Sequence, residues 1–124
     1  MTLTDISKIR LINQQINAQK FKSVKDVVNW MGAIQSQDFS MSKWAIGIRL
    51  HNSTEEVIET AIDNGEILRT HLLRPTLHLV SADDIHWILK LTAPRINTFL
   101  KSRYKQLDLS ESLFRRRRFP ENIF

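Results

Sequence analysis

Basic and imidazole side chains alternate with apolar ones between Ile67 and Val80. The alternation predicts two β-strands with the turn at Arg74-Pro75, because proline fixes φ and removes a backbone donor. If the connection has an even number of residues, alternate residues of the two strands form two sets, one on each face of the hairpin. An odd number would mix the members of these sets. The two sets are Arg69, His71, Leu73, His78 and Val80, and Leu68, Thr70, Leu72, Leu77 and Leu79.

The second set is apolar and is predicted to face the core, which leaves the first set for a ligand. Guanidinium and imidazole groups bind phosphates and can contact a flipped-out base, so Arg69, His71, Arg74 and His78 are candidate nucleic-acid-binding residues. Ordinary strand residues with satisfied hydrogen bonds are the alternative, and the pattern does not decide between the two. We expect no metal site and no cofactor, because only two histidines can converge here without a carboxylate of suitable spacing.

A second polar cluster, Gln35-Ser36-Gln37-Asp38, lies between two helical patterns. A glutamine amide has one acceptor and two donors and can orient a water molecule, although it cannot take up a proton as a carboxylate does. Asp38 is the only nearby carboxylate that can act as a base, and it is also a candidate N-cap for the next helix. The residue types alone indicate an ordinary polar connection between two helices.

A mainly α-helical fold with one β-hairpin is predicted to position these residues. Apolar periodicity and helix breakers indicate helices at about 3–19, 24–32, 41–50, 54–64, 82–92 and 94–105, and a hairpin at about 67–80. Ser23 is a predicted N-cap, Ser53 and Glu56 form a capping box, and Gly65 marks a helix end. Helices followed by a hairpin predict a winged helix-turn-helix over about residues 1–109, with a three-helix bundle carrying a hairpin as the alternative.

The charge of the chain is unevenly distributed. It has 124 residues with 18 Lys and Arg, 13 Asp and Glu, and a net charge of +5. Most of the basic surplus lies from Arg95 to the end of the sequence, and it includes four consecutive arginines at 115–118. Arg95 is a further candidate nucleic-acid-binding residue. We expect residues 110–124 to be a basic tail, either disordered or a product of truncation. The helix at about 54–64 is acidic instead, so it is not predicted to enter a DNA groove.

Two absences indicate the compartment. The chain has no cysteine, and its N-terminus lacks the basic start, apolar run and cleavage site of a signal peptide. No apolar stretch reaches the roughly 20 residues of a membrane helix. We therefore expect a cytoplasmic protein that does not bind membranes.

Several runs along the chain resemble those of a known family in order and spacing. The runs are Met31-Gly32-Ala33-Ile34-Gln35-Ser36-Gln37-Asp38, Trp44-Ala45-Ile46-Gly47-Ile48-Arg49-Leu50, Ile67-Leu68-Arg69-Thr70, Arg74-Pro75-Thr76-Leu77-His78-Leu79-Val80 and Asp84-Ile85-His86-Trp87. They resemble the N-terminal part of the winged-helix DNA-binding family that contains the AlkZ-like DNA glycosylases, which unhook interstrand crosslinks. The resemblance covers most of the chain up to Leu109.

This resemblance implies a catalytic Gln-x-Gln motif at Gln35 and Gln37. The implied reaction is hydrolysis of the N-glycosidic bond of an N7-alkylated purine. The implied partner is double-stranded DNA that is alkylated or crosslinked. Since the charged base is already a good leaving group, the amides need only place water and stabilise an oxocarbenium-like sugar. The chain departs from the family at Ser36, where an aliphatic residue is usual, and at Pro75, where glycine is usual.

The resemblance further implies tandem winged-helix domains and a β-barrel around a DNA channel, most of which lie beyond this chain. We therefore expect a DNA-binding domain that is catalytically incomplete alone. One alternative is an active glycosylase that rebuilds the channel as an oligomer. The other is a protein-interaction domain that uses the acidic helix at about 54–64 without binding DNA. The sequence leaves the oligomeric state open.

Overall fold

The structure is a computed structural model that describes residues 2–17, 21–73, 76–110 and 112–113. These residues form helices α1 (Leu3–Asn13), α2 (Val24–Met31), α3 (Phe39–Gly47), α4 (Glu55–Asp63) and α5 (Ile85–Gln106), and strands β1 (Ile34–Gln35), β2 (Ile67–Leu72) and β3 (Thr76–Ser81). The predicted mainly helical fold with a β-hairpin is confirmed, and β1 adds a third strand. Within the described ranges, no helix combines the length and apolar character needed to cross a membrane.

Side-chain caps begin four of the helices, α1 to α4, and Thr2 is the cap of α1. Ser23 accepts a hydrogen bond from the Asp26 N–H at 3.1 Å, and Asp38 accepts one from the Met41 N–H at 3.0 Å. Each bond satisfies one of the backbone donors that a helix start leaves without a partner. The cap predicted at Ser53 is wrong by one residue: Thr54 caps α4, since the Ser53 hydroxyl donates to the Gly47 carbonyl instead.

The antiparallel sheet has the order β1-β3-β2 and is covered on both sides. A main core joins α2, α3 and α4 to one side, and it includes the buried Val27, Ile46 and Leu79. A smaller cluster joins α5 to the other side through Leu72, Val80 and Ile88. Both faces of β3 are therefore buried, unlike the half-exposed hairpin that the sequence predicts.

The hairpin connection is odd in length, so the predicted division of its side chains is wrong. Leu72 pairs with Thr76, leaving three residues between the strands, and Leu73 adopts a left-handed φ of 60°. Relative to an even-length connection, this register shifts β3 by one residue, which exchanges its faces. One face, here the bundle face, carries Ile67, Arg69, His71, Leu77 and Leu79; the other, the α5 face, carries Leu68, Thr70, Leu72, His78 and Val80.

Helix α5 replaces the two helices predicted at about 82–92 and 94–105. It runs unbroken from Ile85 to Gln106 with Pro94 inside it. Proline removes one backbone donor and crowds the carbonyl four residues earlier, but the remaining hydrogen bonds of a long helix can continue past it. Pro94 is exposed, so water can reach the backbone groups that it leaves without a partner.

Helix α1 is shorter than the predicted span of about 3–19. It ends at Asn13 because Gln15 takes a left-handed φ of 56°, and the Ile16 N–H bonds to the Leu11 carbonyl at 3.0 Å. This is a Schellman ending, which closes a helix. Helix α1 has no buried residue. Residues 18–20, and most of the predicted tail at 110–124 with its four arginines, lie outside the described residues.

Replacing Gly65 with alanine is expected to lower the free energy of unfolding by about 1–2 kcal/mol. Gly65 ends α4 with φ at 72°, a conformation that side chains with a Cβ disfavour. An added Cβ would meet no atom within 4 Å, so the cost comes from the backbone alone. Urea unfolding measures the loss. Asn64→Ala, at an ordinary helical φ of −73°, is the matched control, and an equal loss in both variants would contradict the prediction.

Candidate functional site

The predicted Gln-x-Gln segment is built around a buried serine. Ser36 is fully buried, and its N–H donates to the Leu77 carbonyl at 2.7 Å, which ties the segment to β3. The two neighbouring glutamines are exposed. Alternation along an extended chain explains this arrangement, since consecutive side chains point to opposite sides. Gln35 and Gln37 are thus presented to solvent from a segment whose centre is fixed.

The Gln37 amide has a defined orientation. Its Oε1 accepts a hydrogen bond from the Leu77 N–H at 2.9 Å. A backbone N–H can only donate, so the oxygen of the amide must face Leu77 and the nitrogen must face away. The two N–H groups of Nε2 remain available to a ligand, and Gln37 is positioned mainly as a donor.

Gln35 lies beside His78. The register of β1 and β3 pairs these two residues directly, which places both on the α5 face. In the part of the chain that the structure describes, the Gln35 side chain makes no hydrogen bond. His78 is only 7% exposed, and its Nδ1 lies 2.9 Å from the Thr76 carbonyl. A carbonyl only accepts, so Nδ1 carries a proton and donates it.

Arg69 binds the same segment from β2. Its Nε lies 3.1 Å from the Ser36 carbonyl and 3.2 Å from the Ser36 hydroxyl, and its Nη2 lies 2.7 Å from that carbonyl. The guanidinium also stacks on the Phe39 ring, with Cζ 4.9 Å from the ring centroid. The sequence predicts a DNA contact for Arg69. The residue is exposed, but its Nε and Nη2 donors are bonded to Ser36.

The other predicted binding residues do not form one surface. His71 is exposed on the bundle face with Arg69, whereas His78 is buried on the α5 face. The prediction that all three lie on one face is wrong, because the hairpin connection has an odd number of residues. Arg95 is exposed on α5, and Arg74 lies outside the described residues. A phosphate contact by any of them stays a prediction.

A family model for AlkZ-like DNA glycosylases matches residues 28–118 of the chain. The chain belongs to this family. The matched segment includes both glutamines, the whole sheet and α5, so the predicted resemblance is confirmed and the protein has a DNA-repair-related function. No curated protein and no solved structure matches the chain significantly.

The acidic helix α4 of this AlkZ-like domain is partly neutralised by α3. The Lys43 ammonium bonds the carboxylates of Glu55 and Glu59, and it lies 4.8 Å from the centroid of the Phe39 ring. The hydrogen bond that Lys43 donates to Glu55, followed by the one that it donates to Glu59, raises the pKa of Lys43. The lysine therefore remains charged at neutral pH, and two of the carboxylates on α4 serve packing between helices.

The sequence did not predict Ser42, Phe39 or Lys43 as parts of this site, and it predicted Ser36 only as the residue between the two glutamines. The spacing of Phe39 and Lys43 on one helix, and of two glutamates on the next, is a signal that was present in the sequence. The two serines carry no such signal, because a serine in a polar connection is ordinary. Their role depends on the approach of β2, which only the fold reveals.

Proposed function

We propose that this domain binds double-stranded DNA and supports hydrolysis of the N-glycosidic bond of N7-alkylated purines, with Gln35 and Gln37 at the sugar. One observation carries the proposal: two exposed glutamines flank a fully buried serine in a chain of the AlkZ-like DNA glycosylase family. The buried residue fixes the segment, and the exposed amides are accessible to a nucleotide. Preorganised polar groups of this kind stabilise a transition state at little cost in reorganisation.

The two amides suit different tasks in this reaction. The N7-alkylated base carries a positive charge, which is neutralised when the base leaves. The protein must therefore supply an oriented water and polar groups around an electron-poor sugar. Gln35 retains its full hydrogen-bonding capacity and can orient the water. Gln37 has its oxygen on the Leu77 N–H and offers donors to the phosphate or sugar oxygens beside the lesion.

The carboxylate of Asp38 is a weaker candidate for a general base. Its Oδ1 accepts the Met41 N–H at 3.0 Å as the N-cap of α3. Protonating the carboxylate would weaken this cap, which contributes to the stability of the helix start. Placement of the water is therefore proposed for the amides of Gln35 and Gln37.

A winged-helix arrangement is part of the proposal. Its support is the order of the elements: α2, α3 and α4 precede the β2–β3 hairpin, and α4 packs on α2 and α3. Helix α4 is not the proposed DNA reader, since its carboxylates would repel phosphates. The proposed DNA-facing surface is the hairpin with the exposed basic residues of α5, which are Lys90, Arg95, Lys101, Arg103 and Lys105.

The proposed function is tested with a labelled duplex that contains one N7-methylguanine. We expect the protein to bind the duplex with an affinity that falls as salt rises, with a log–log slope steeper than about −2, since each phosphate contact contributes about −0.9. The sequence predicts a domain that is catalytically incomplete alone. In contrast to that expectation, we also expect base release above the spontaneous rate when protein is in excess, because the segment that carries both amides is fixed within this chain. An unmodified duplex of the same sequence is the control for release.

Two outcomes would contradict the proposal. Failure to shift the duplex at low salt would exclude DNA binding by this domain. Binding without base release would exclude the hydrolytic role for this chain while leaving the DNA-binding role in place.

A further inference from the structure

We propose that Arg69 is a positioning residue for the two glutamines, and that it acts through a directed chain of hydrogen bonds across Ser36 and Ser42. The inference rests on the proposed function, because it assigns Gln35 and Gln37 a role in base release. It also changes the predicted role of Arg69, from a phosphate contact to a clamp on the segment that carries the site.

The clamp is bidentate on a single carbonyl. Nε and Nη2 of Arg69 lie 3.1 and 2.7 Å from the Ser36 oxygen, and Nη2 also lies 3.5 Å from the Gln37 carbonyl. Hydrogen bonds from a guanidinium are charge-assisted, and the planar fork restricts the direction as well as the distance of its acceptor. Arg69 thus fixes the backbone between the two exposed amides.

The hydroxyl groups of Ser36 and Ser42 donate their hydrogen bonds in one direction. Ser42 Oγ donates to the Phe39 carbonyl at 2.7 Å, which uses its only proton. The bond of 2.9 Å between the two serine hydroxyls must then be donated by Ser36. Ser36 Oγ is left to accept from Arg69 Nε at 3.2 Å. The chain runs in one direction, from the guanidinium to the first turn of α3, and every proton in it has an acceptor.

The guanidinium is also held from the side of α3. The Phe39 ring has the Arg69 Cζ 4.9 Å and the Lys43 Nζ 4.8 Å from its centroid, and Lys43 is in turn bound by Glu55 and Glu59. A cation on an aromatic ring is stabilised by the charge distribution of the ring. Strand β2, the glutamine segment and helices α3 and α4 are thereby joined in one polar network around Arg69.

Arg69→Lys separates clamping from charge. Lysine keeps the positive charge for a phosphate but loses the planar fork. We expect the rate of base release at saturating protein to fall roughly 10- to 100-fold, the scale associated with a small misplacement of a reacting group. The Kd for the duplex and its salt slope should stay unchanged. Arg10→Lys, at an exposed position on α1, is the matched control.

Amide hydrogen exchange tests the clamp without catalysis. In the free protein, the N–H groups of Ser36 and Leu77 are bonded within the segment. Arg69→Lys should speed their exchange roughly tenfold or more, since charge-assisted bonds that restrain the segment are lost. Arg10→Lys should leave it unchanged. Ser36→Ala, which breaks the hydroxyl chain but keeps the clamped carbonyl, should give a smaller change of the same sign and serves if Arg69→Lys fails to fold.

The two experiments separate the inference from the proposed function. If the unmodified protein releases no base, the proposed function fails, and the exchange of Ser36 and Leu77 alone decides the clamp. An unchanged saturating rate in Arg69→Lys would show that Arg69 does not position the glutamines and would overturn the inference. Unchanged exchange in both Arg69→Lys and Ser36→Ala would overturn it as well.

Discussion

Replacing Gln35 with alanine is expected to lower the rate of base release from N7-methylguanine DNA roughly 10²- to 10³-fold, the scale of losing one preorganised polar group. The reason is that Gln35 is exposed and keeps its acceptor and both donors for water and sugar. Affinity for the duplex should stay within about twofold, because a neutral amide releases no counterions. Single-turnover release at saturating protein, with binding measured separately, gives both quantities.

Two further variants sharpen this prediction. Gln35→Glu keeps the shape and an acceptor but loses both donors, so it should retain more activity than Gln35→Ala if water orientation is the main task. Asn29→Ala removes an exposed amide on α2, outside the Gln-x-Gln segment, and is the matched control. Release by Gln35→Ala at the rate of the unmodified protein would exclude Gln35 from the reaction.

Replacing Leu79 with alanine is expected to lower the free energy of unfolding by about 2–5 kcal/mol, the range for a leucine removed from a packed core. Leu79 is fully buried on the central strand, between Ile34 and Arg69 in the register. Leu79 makes apolar contacts in the main core, and it helps to align β3, the strand that also carries Leu77. Urea unfolding with an unchanged m-value measures the loss.

The control for Leu79 is a leucine outside the core. Leu91 on α5 is 69% exposed, so Leu91→Ala should change stability by no more than about 0.5 kcal/mol. A loss below about 1 kcal/mol at Leu79 would mean that the surrounding side chains collapse into the space, and it would contradict the prediction.

Local signals were sufficient for several elements. The cap at Ser23 and the stop at Asn64-Gly65 placed α2 and α4 closely, because capping and left-handed endings depend on residues within one turn. The exposed glutamines were also found from the sequence, but only through the resemblance to a family. Residue type alone favoured an ordinary polar connection there.

The hairpin register could not be predicted from local signals. An even connection was expected because it gathers the apolar residues of β2 and β3 on one face. The observed register divides them, and α5 on one side and α2–α4 on the other bury both sets. Whether a strand has one covered face or two depends on helices that are distant in the sequence.

The sequence by itself determined the helical character of the domain, its hairpin, its acidic α4 and the Gln35-Ser36-Gln37 segment. Only the tertiary structure decided that Ser36 is buried, that the exposed Arg69 bonds to it, and that His78 lies on the face opposite to His71. The physical reason is the range of the interactions. Helix caps and periodic patterns act over one or two turns, whereas the Arg69 clamp joins residues 33 positions apart, which meet only after the sheet has formed.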